Sequence, residues 1–205
     1  QVRSPQVVNA LFAQAQIDAL LVPMHVSRDR FGETMRSLMA IGNLRGIVIT
    51  VPFKVDAMSL VSHVLPGAQA AGALNAMRRL PDNRWEGDMF DGAGLVRALD
   101  DAGHPPAGKR VLLVGAGGAG RAIAIALAQS GVREIVVDAM VPRAQRIAVE
   151  LRASSAARLR IGGEPALVRP YEPGDRPVAL IARADVDQGR VRIVVRMAGE
   201  DHGST

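Results

Sequence analysis

A lysine can pass a proton to and from a hydroxyl, and an aspartate beside it can orient that exchange or take part in it. The chain offers such a pair at two turns. Thr50-Val51-Pro52-Phe53-Lys54 follows the apolar run GIVITV and puts a hydroxyl and an ammonium at the C-terminal end of a strand, where α/β sheets hold their ligands. Asp91-Gly92-Ala93-Gly94 puts a carboxylate on a glycine turn ahead of a helix, and Gly72-Ala73-Leu74-Asn75 puts an amide at the start of a short strand. Face to face over a small hydroxylated substrate, Lys54 and Asp91 would form a proton-transfer pair. Taken alone, each residue has a plainer explanation: Lys54 as a surface charge after a proline turn, Asn75 as a satisfied turn residue, Asp91 as a helix N-cap.

A second kind of chemistry is written at mid-chain. Residues 111–120 read VLLVGAGGAG, a β-branched and leucine strand running into a glycine turn and then a helix over Arg121–Gln129. In the pattern Gly115-x-Gly117-x-x-Gly120, the first glycine makes the tight turn and the second lets backbone approach a pyrophosphate, while the third lets the helix pack closely. With Ala116, Gly118 and Ala119 they form a loop whose helix N-terminus presents free N–H groups and a positive dipole end to phosphates. Gly131 then fits a C-terminal cap, and EIVV over Glu134–Val137 a second strand ending at Asp138. Asp138 follows Gly115 by 23 residues (138 − 115), close to the roughly 20-residue spacing at which a carboxylate binds the ribose 2′-hydroxyl of NAD and repels a 2′-phosphate. NAD is therefore the expected cofactor, and Arg143 nearby leaves NADP open.

Composition narrows the classes. Of 205 residues, 48% are hydrophobic, enough for ordinary cores. The absence of cysteine excludes disulfides, thiolate metal sites and a cysteine nucleophile. His25, His63, His104 and His202 share no ligand or triad spacing, so no metal is expected. The net charge of +5 comes almost wholly from scattered arginines, Lys54 and Lys109 being the lysines, and without zinc-finger spacing or an aromatic-studded basic strand it does not predict a nucleic-acid partner. No apolar run is long enough to span a bilayer and the first residues lack a signal-peptide pattern, so a soluble cytoplasmic protein without membrane contact is expected.

These residues need elements to position them. Ser4 as N-cap and Pro5 at the first helical position predict a helix over Gln6–Gln16, then a strand over Ala19–Pro23. Arg28–Ile41 is an amphipathic helix carrying Phe31, Met35, Leu38 and Met39 on one face, followed by a strand over Gly46–Val51 and a helix over Val55–Val61. Ala73–Met77 and Trp85–Asp88 are short extended pieces, with Trp85 packing a domain junction. The alternation predicts a mostly parallel sheet. The helix Leu95–Ala102 leads to Gly103-His104-Pro105-Pro106, a natural domain boundary. The chain then divides into an α/β substrate domain over 1–103 and a Rossmann-type dinucleotide-binding domain over 104–205. Leu151–Arg160 can be helical, and Val178–Ala182 with Val191–Met197 reads as a strand pair.

The ordered set of motifs resembles the shikimate dehydrogenase family over about residues 1–150. That family carries Ser-x-Ser-Pro followed by Asn, Asn-Val-Thr-x-Pro-x-Lys, Gly-Ala-x-Asn, Asp-Gly-x-Gly and Gly-Ala-Gly-Gly-Ala-x-Arg-Ala. Here these stand as Val2-Arg3-Ser4-Pro5 with Asn9, Val48-Ile49-Thr50-Val51-Pro52-Phe53-Lys54, Gly72-Ala73-Leu74-Asn75, Asp91-Gly92-Ala93-Gly94, and Gly115–Gly120 with Arg121-Ala122. The resemblance implies reversible hydride transfer between ring C3 of shikimate, or of a related ring hydroxy acid, and NAD(P), giving 3-dehydroshikimate. It implies Lys54 and Asp91 as the catalytic pair and Ser4, Thr50 and Asn75 as substrate contacts, and it leaves a homodimer open. Departures mark a divergent branch: Val2 and Val48 stand where the family has polar residues, and Asp138-Ala139-Met140 replaces the Asn-Arg-Thr of NADP-dependent members. Beyond residue 160 neither the Asn-Ala-Thr-Pro-like nicotinamide loop nor the late glutamine-bearing helix is recognisable, so 161–205 is expected to be of separate origin. A methylene-tetrahydrofolate dehydrogenase-like enzyme and a non-catalytic dinucleotide or ring-acid binding protein are the competing readings.

Overall fold

A computed structural model describes residues 3–141, 145–153, 157–161, 164–166, 178–186 and 189–197. The chain is α/β, and it separates into two compact units, Gln1–Asn43 and Leu44–Thr205.

The first unit carries helix α1 (Ser4–Gln14) and helix α2 (Phe31–Met39). Arg3 occupies the cap position of α1, with no side-chain cap, so Ser4 is the first helical residue rather than the N-cap that its type suggests. Pro5 sits in the first turn, where its missing N–H costs nothing. The helix ends early because Gln16 adopts a left-handed φ of 54°. No strand forms over Ala19–Pro23. Instead the Asn9 side chain clamps this segment, accepting from the Leu21 N–H at 2.7 Å and donating to the Leu21 carbonyl at 3.1 Å. An amide side chain thus satisfies the backbone groups that a neighbouring strand would otherwise pair. In α2, Phe31 and Met35 stand one turn apart and are both buried, as the apolar periodicity requires.

In the second unit, strand β1 (Gly46–Val48) is followed by a 3₁₀ segment (Asp56–Leu60), strand β2 (His63–Val64), helix α3 (Pro66–Ala71), strands β3 (Ala76–Arg79) and β4 (Trp85–Asp88), and helix α4 (Asp91–Asp101). Strand β1 is shorter than the run GIVITV: the last bond toward β3 runs from the Ile49 N–H to the Asn75 carbonyl at 2.7 Å, and the chain then turns through a bond from the Phe53 N–H to the Thr50 carbonyl at 3.0 Å. The sheet order is β1-β3-β4-β2. The expected mostly parallel sheet is not found, since β1–β3 and β3–β4 are antiparallel and only β2–β4 is parallel. The Leu80–Arg84 connection is a tight turn, closed by the Leu80 N–H on the Arg84 carbonyl at 2.7 Å, and parallel pairing needs a crossover of a dozen or more residues. Leu74, Met77 and Trp85 are buried here, and the Arg79 guanidinium lies over the Trp85 ring at 5.4 Å. Helix α4 begins at Asp91 with Phe90 at the cap position, so Asp-Gly-Ala-Gly is the first helical turn and Asp91 is not the cap.

Strand β5 (Arg110–Val114), helix α5 (Gly118–Gln129) and strand β6 (Glu134–Val141) form the expected βαβ unit, with β5 and β6 parallel in the register Val114↔Asp138. Gly131, at φ 77°, follows the helix end in the conformation foreseen for it. Strands β7 (Gln145–Ala153), β8 (Ala157–Ile161), β9 (Glu164–Ala166), β10 (Val178–Val186) and β11 (Gly189–Met197) follow. The helix expected over Leu151–Arg160 is replaced by the end of β7 and most of β8, where the alternation in Arg158-Leu159-Arg160-Ile161 has the period of a strand. The expected strand pair also separates: β10 pairs with β7, and β11 pairs with β6 and β8. Among the described residues no helix is long and apolar enough to cross a membrane.

Candidate active site

Three side chains from three segments meet beside α4. Lys54 leaves the turn after β1, its carbonyl held by the Leu74 N–H at 2.8 Å. Its ammonium forms an ion pair with Asp91 Oδ2, the two side chains being 13% and 23% exposed, so the pair is largely withdrawn from water yet reachable. Asp91 stands at the first position of α4, an end of a helix that suits an acidic side chain. Asn75 completes the set. Its main chain bridges two segments, accepting from the Ile49 N–H at 2.7 Å and donating to the Asp88 carbonyl at 3.0 Å. Its side-chain Nδ2 donates to Asp91 Oδ1 at 2.7 Å, while its Oδ1 accepts from the Phe90 N–H at 3.0 Å. Both Asp91 oxygens are therefore engaged, one by a cation and one by a fixed amide. This is a carboxylate held in one orientation.

The structure thus brings Lys54, Asn75 and Asp91 into one hydrogen-bonded cluster rather than leaving them as separate surface or turn residues. Thr50, expected beside them, is an exposed residue of the same turn, and Ser4 lies half-buried at the start of α1 in the first unit. Asp88 was not singled out in the sequence. Its Oδ1 accepts from the Ala68 N–H at 2.7 Å and the Met89 N–H at 2.8 Å, tying the start of α3 to the end of β4. No local signal marks it, because the helix start it serves lies 20 residues upstream.

The glycine loop has the shape its spacing implies. Gly115 adopts φ 102° and donates its N–H to the Asp138 carbonyl at 2.7 Å, locking the turn onto β6. A Cβ on Gly120 would stand 2.4 Å from the Gly115 carbonyl oxygen, so only glycine lets the helix start this close to the turn. Around Gly117 a Cβ would meet nothing within 4 Å, and the neighbouring Ala116 is exposed. This open side and the unpaired N–H groups that every helix presents in its first turn fit a pyrophosphate. Gly118 and Ala119 form that first turn. Asp138 is 5% exposed and lies within β6, which runs on to Val141, so the strand does not end at the carboxylate as expected.

Helix α5 also touches the polar cluster's supports. A Cβ on Gly118 would lie 3.1 Å from Ala73 Cβ and 3.3 Å from Lys54 Cβ. Arg121 Nη2 donates to the Gly72 carbonyl at 3.3 Å, and partial burial lowers the guanidinium from its ordinary pKa. Among the described residues no group of three or more histidines and carboxylates could hold a metal ion.

Residues 1–77 match the shikimate dehydrogenase substrate binding domain family. The chain is 43% identical over 155 residues to shikimate dehydrogenase (NADP(+)) of Anaeromyxobacter sp. (strain K), an alignment covering 76% of this chain and 53% of the relative. It is 34% identical over 160 residues to the protein of the same name from Lysinibacillus sphaericus (strain C3-41), covering 77% and 58%. Among solved structures it is similar to shikimate 5-dehydrogenase from Listeria monocytogenes in complex with shikimate and NAD, with TM-score 0.58 and 34% identity over 64% of this chain and 45% of that one. It is also similar to shikimate 5-dehydrogenase from Thermus thermophilus in complex with NADP(H) and shikimate, with TM-score 0.61 and 28% identity over 68% and 51%. The chain spans about half the length of the curated relatives it matches. The ordered motifs, the Lys54–Asp91–Asn75 cluster and these likenesses all point to the shikimate dehydrogenase family, whose substrate binding domain residues 1–77 match.

Proposed function

We propose that this chain acts in reversible hydride transfer between a ring hydroxy acid, shikimate or a close relative, and NAD(P). The observation that carries this reading is the meeting of Lys54, Asn75 and Asp91, residues 37 and 16 positions apart in their contacts, against the helix that follows a dinucleotide-type glycine loop. The dinucleotide, when bound, supplies the hydride acceptor or donor. The proton is the protein's task. In the oxidation direction the neutral Lys54 amine takes the hydroxyl proton as the C–O bond becomes a carbonyl, and in reduction the ammonium returns it. Asp91 orients the Lys54 side chain, and Asn75 fixes Asp91 while keeping a second N–H for a ring hydroxyl. Thr50 is assigned to the acid's carboxylate or hydroxyls.

Residues 1–103 form the substrate part of this reading and 104–205 the dinucleotide part. Gly115–Gly120 would hold the pyrophosphate and Asp138 the adenosine ribose. The Asp138 carboxylate supports NAD, whereas the relatives described above are named for NADP(+). Shikimate-dependent reduction of NAD and of NADP, followed by nicotinamide absorbance beside titrations with shikimate and ADP-ribose, tests the reading. Turnover that disappears in Lys54→Ala supports it. Binding of both ligands without turnover would favour a binding protein, and binding of neither rejects the reading.

A further inference from the structure

We infer that Arg121 is a positioning residue that couples the glycine loop to the Lys54–Asp91–Asn75 cluster, so that occupation of the dinucleotide site tightens the ring-acid site. The inference rests on the function proposed above. Arg121 lies on the first turn of α5, directly after the glycine loop, and reaches back to the Gly72 carbonyl at 3.3 Å. Gly72 ends α3 in a left-handed conformation at φ 59° and opens the run Gly72-Ala73-Leu74-Asn75. A Cβ there would stand 3.1 Å from Arg121 Nη1, so the glycine provides both the backbone angle and the room for the guanidinium.

The two residues after Gly72 carry the connection onward. Ala73 packs beside Gly118, and the Leu74 N–H holds the Lys54 carbonyl at 2.8 Å. Asn75 then grips Asp91 at 2.7 Å. On the opposite side, Gly92, the neighbour of Asp91, lies against the Ala122 carbonyl of α5. The turn that delivers Asn75 is thus held to the dinucleotide helix through Arg121. A pyrophosphate seated on the loop would restrain the start of α5, and through this bond the turn. Removing the guanidinium should separate the two sites without emptying either.

The test uses the full chain and the variants Arg121→Gln, Arg121→Lys and Gly72→Ala. Shikimate is titrated with and without saturating ADP-ribose, which fills the dinucleotide site without any turnover. In the parent, ADP-ribose should tighten shikimate binding at least about fivefold, the lower end of ordinary coupling between sites. In Arg121→Gln and Gly72→Ala that factor should fall below about twofold, with either ligand alone bound within about threefold of the parent, and Arg121→Lys should restore part of it. Amide exchange at Leu74 and Asn75 should quicken in Arg121→Gln while Met77 in β3 stays protected. Coupling absent from the parent, or unchanged in Arg121→Gln, overturns the inference and leaves the proposed function standing. Unchanged exchange at Leu74 and Asn75 overturns it whatever the ligands do. Failure of the parent to bind either ligand rejects the function itself.

Discussion

Gly92 and Gly94 share one turn of α4, and alanine should have opposite effects at the two positions. At Gly92 a Cβ would stand 2.2 Å from the Ala122 carbonyl oxygen and 2.8 Å from both Ala122 C and Ala126 Cβ. That is well over 1 Å short of ordinary van der Waals contact at roughly 3.5 Å, and the obstacle is backbone that cannot rotate away. Helix α4 must retreat from α5. Overpacking of this kind costs about 1–3 kcal/mol, and a backbone obstacle puts the change at or beyond the upper end. For a chain of this size a loss of about 3 kcal/mol lowers Tm by roughly 6–12 °C. At Gly94 a Cβ meets nothing within 4 Å, and the residue is exposed inside the helix. Gly94→Ala should therefore stabilise the chain by about 0.5–1 kcal/mol through backbone entropy. Thermal unfolding followed by circular dichroism at 222 nm reads both. Because Asp91 precedes Gly92, a 1 Å retreat of α4 should also lower shikimate turnover by about a hundredfold at temperatures where Gly92→Ala remains folded. A Gly92→Ala protein as stable and as active as the parent would refute the close α4–α5 contact.

The remaining predictions concern the site. Lys54→Ala should reduce shikimate turnover by about a hundredfold or more while leaving dinucleotide affinity nearly unchanged in titration, and equal loss of cofactor binding would contradict its role. Asp91→Asn should behave similarly, with the double variant no worse than either single one if the pair acts as a unit in steady-state assays. Asn75→Ala removes both the donor to Asp91 Oδ1 and the acceptor of the Phe90 N–H, so denaturant unfolding should show a loss of about 1–3 kcal/mol, and an unchanged midpoint would mean water replaces both bonds. Asp138→Asn with Ala139→Arg should move the kcat/KM ratio toward NADP by removing a repulsion and adding a phosphate partner; a parent that already prefers NADP would show that Asp138 does not select the cofactor.

How far the fold could be read depended on whether local pattern or distant pairing decided each element. The βαβ unit is local: strand, turn and helix each have a sequence signature, and Arg110–Val141 folds as its glycines and apolar periodicity require. The first sheet contained readable strands but not readable pairings, because the turn over Leu80–Arg84 determines that β3 and β4 run antiparallel. At Ala19–Pro23 the apolar run looked like a strand, and a side chain ten or more residues earlier decided otherwise by taking the Leu21 backbone groups. Beyond Val141 the same limit appears in another form. Leu151–Arg160 has residues compatible with a helix, yet β7 and β8 find partners in β10 and β11 far along the chain.

The site was more legible than the sheet around it, for a physical reason. Lys54, Asn75 and Asp91 sit in turns or at element ends, where their motifs can be read as short contiguous text. Their supports are chosen by close approach. Gly72 is needed for its left-handed angle and the space it leaves to Arg121, and Gly92 for its contact with the Ala122 carbonyl. Neither need is visible until α5 is placed. The same glycine motifs therefore carry two layers of meaning: each ends in a polar residue to which the proposed function gives a role, and its glycine lets helix α5 approach the segment that delivers that residue. If that is so, a bulkier residue at Gly72 or Gly92 should impair the pair Lys54–Asp91 without touching either side chain, and such variants separate the making of a catalytic group from the holding of it.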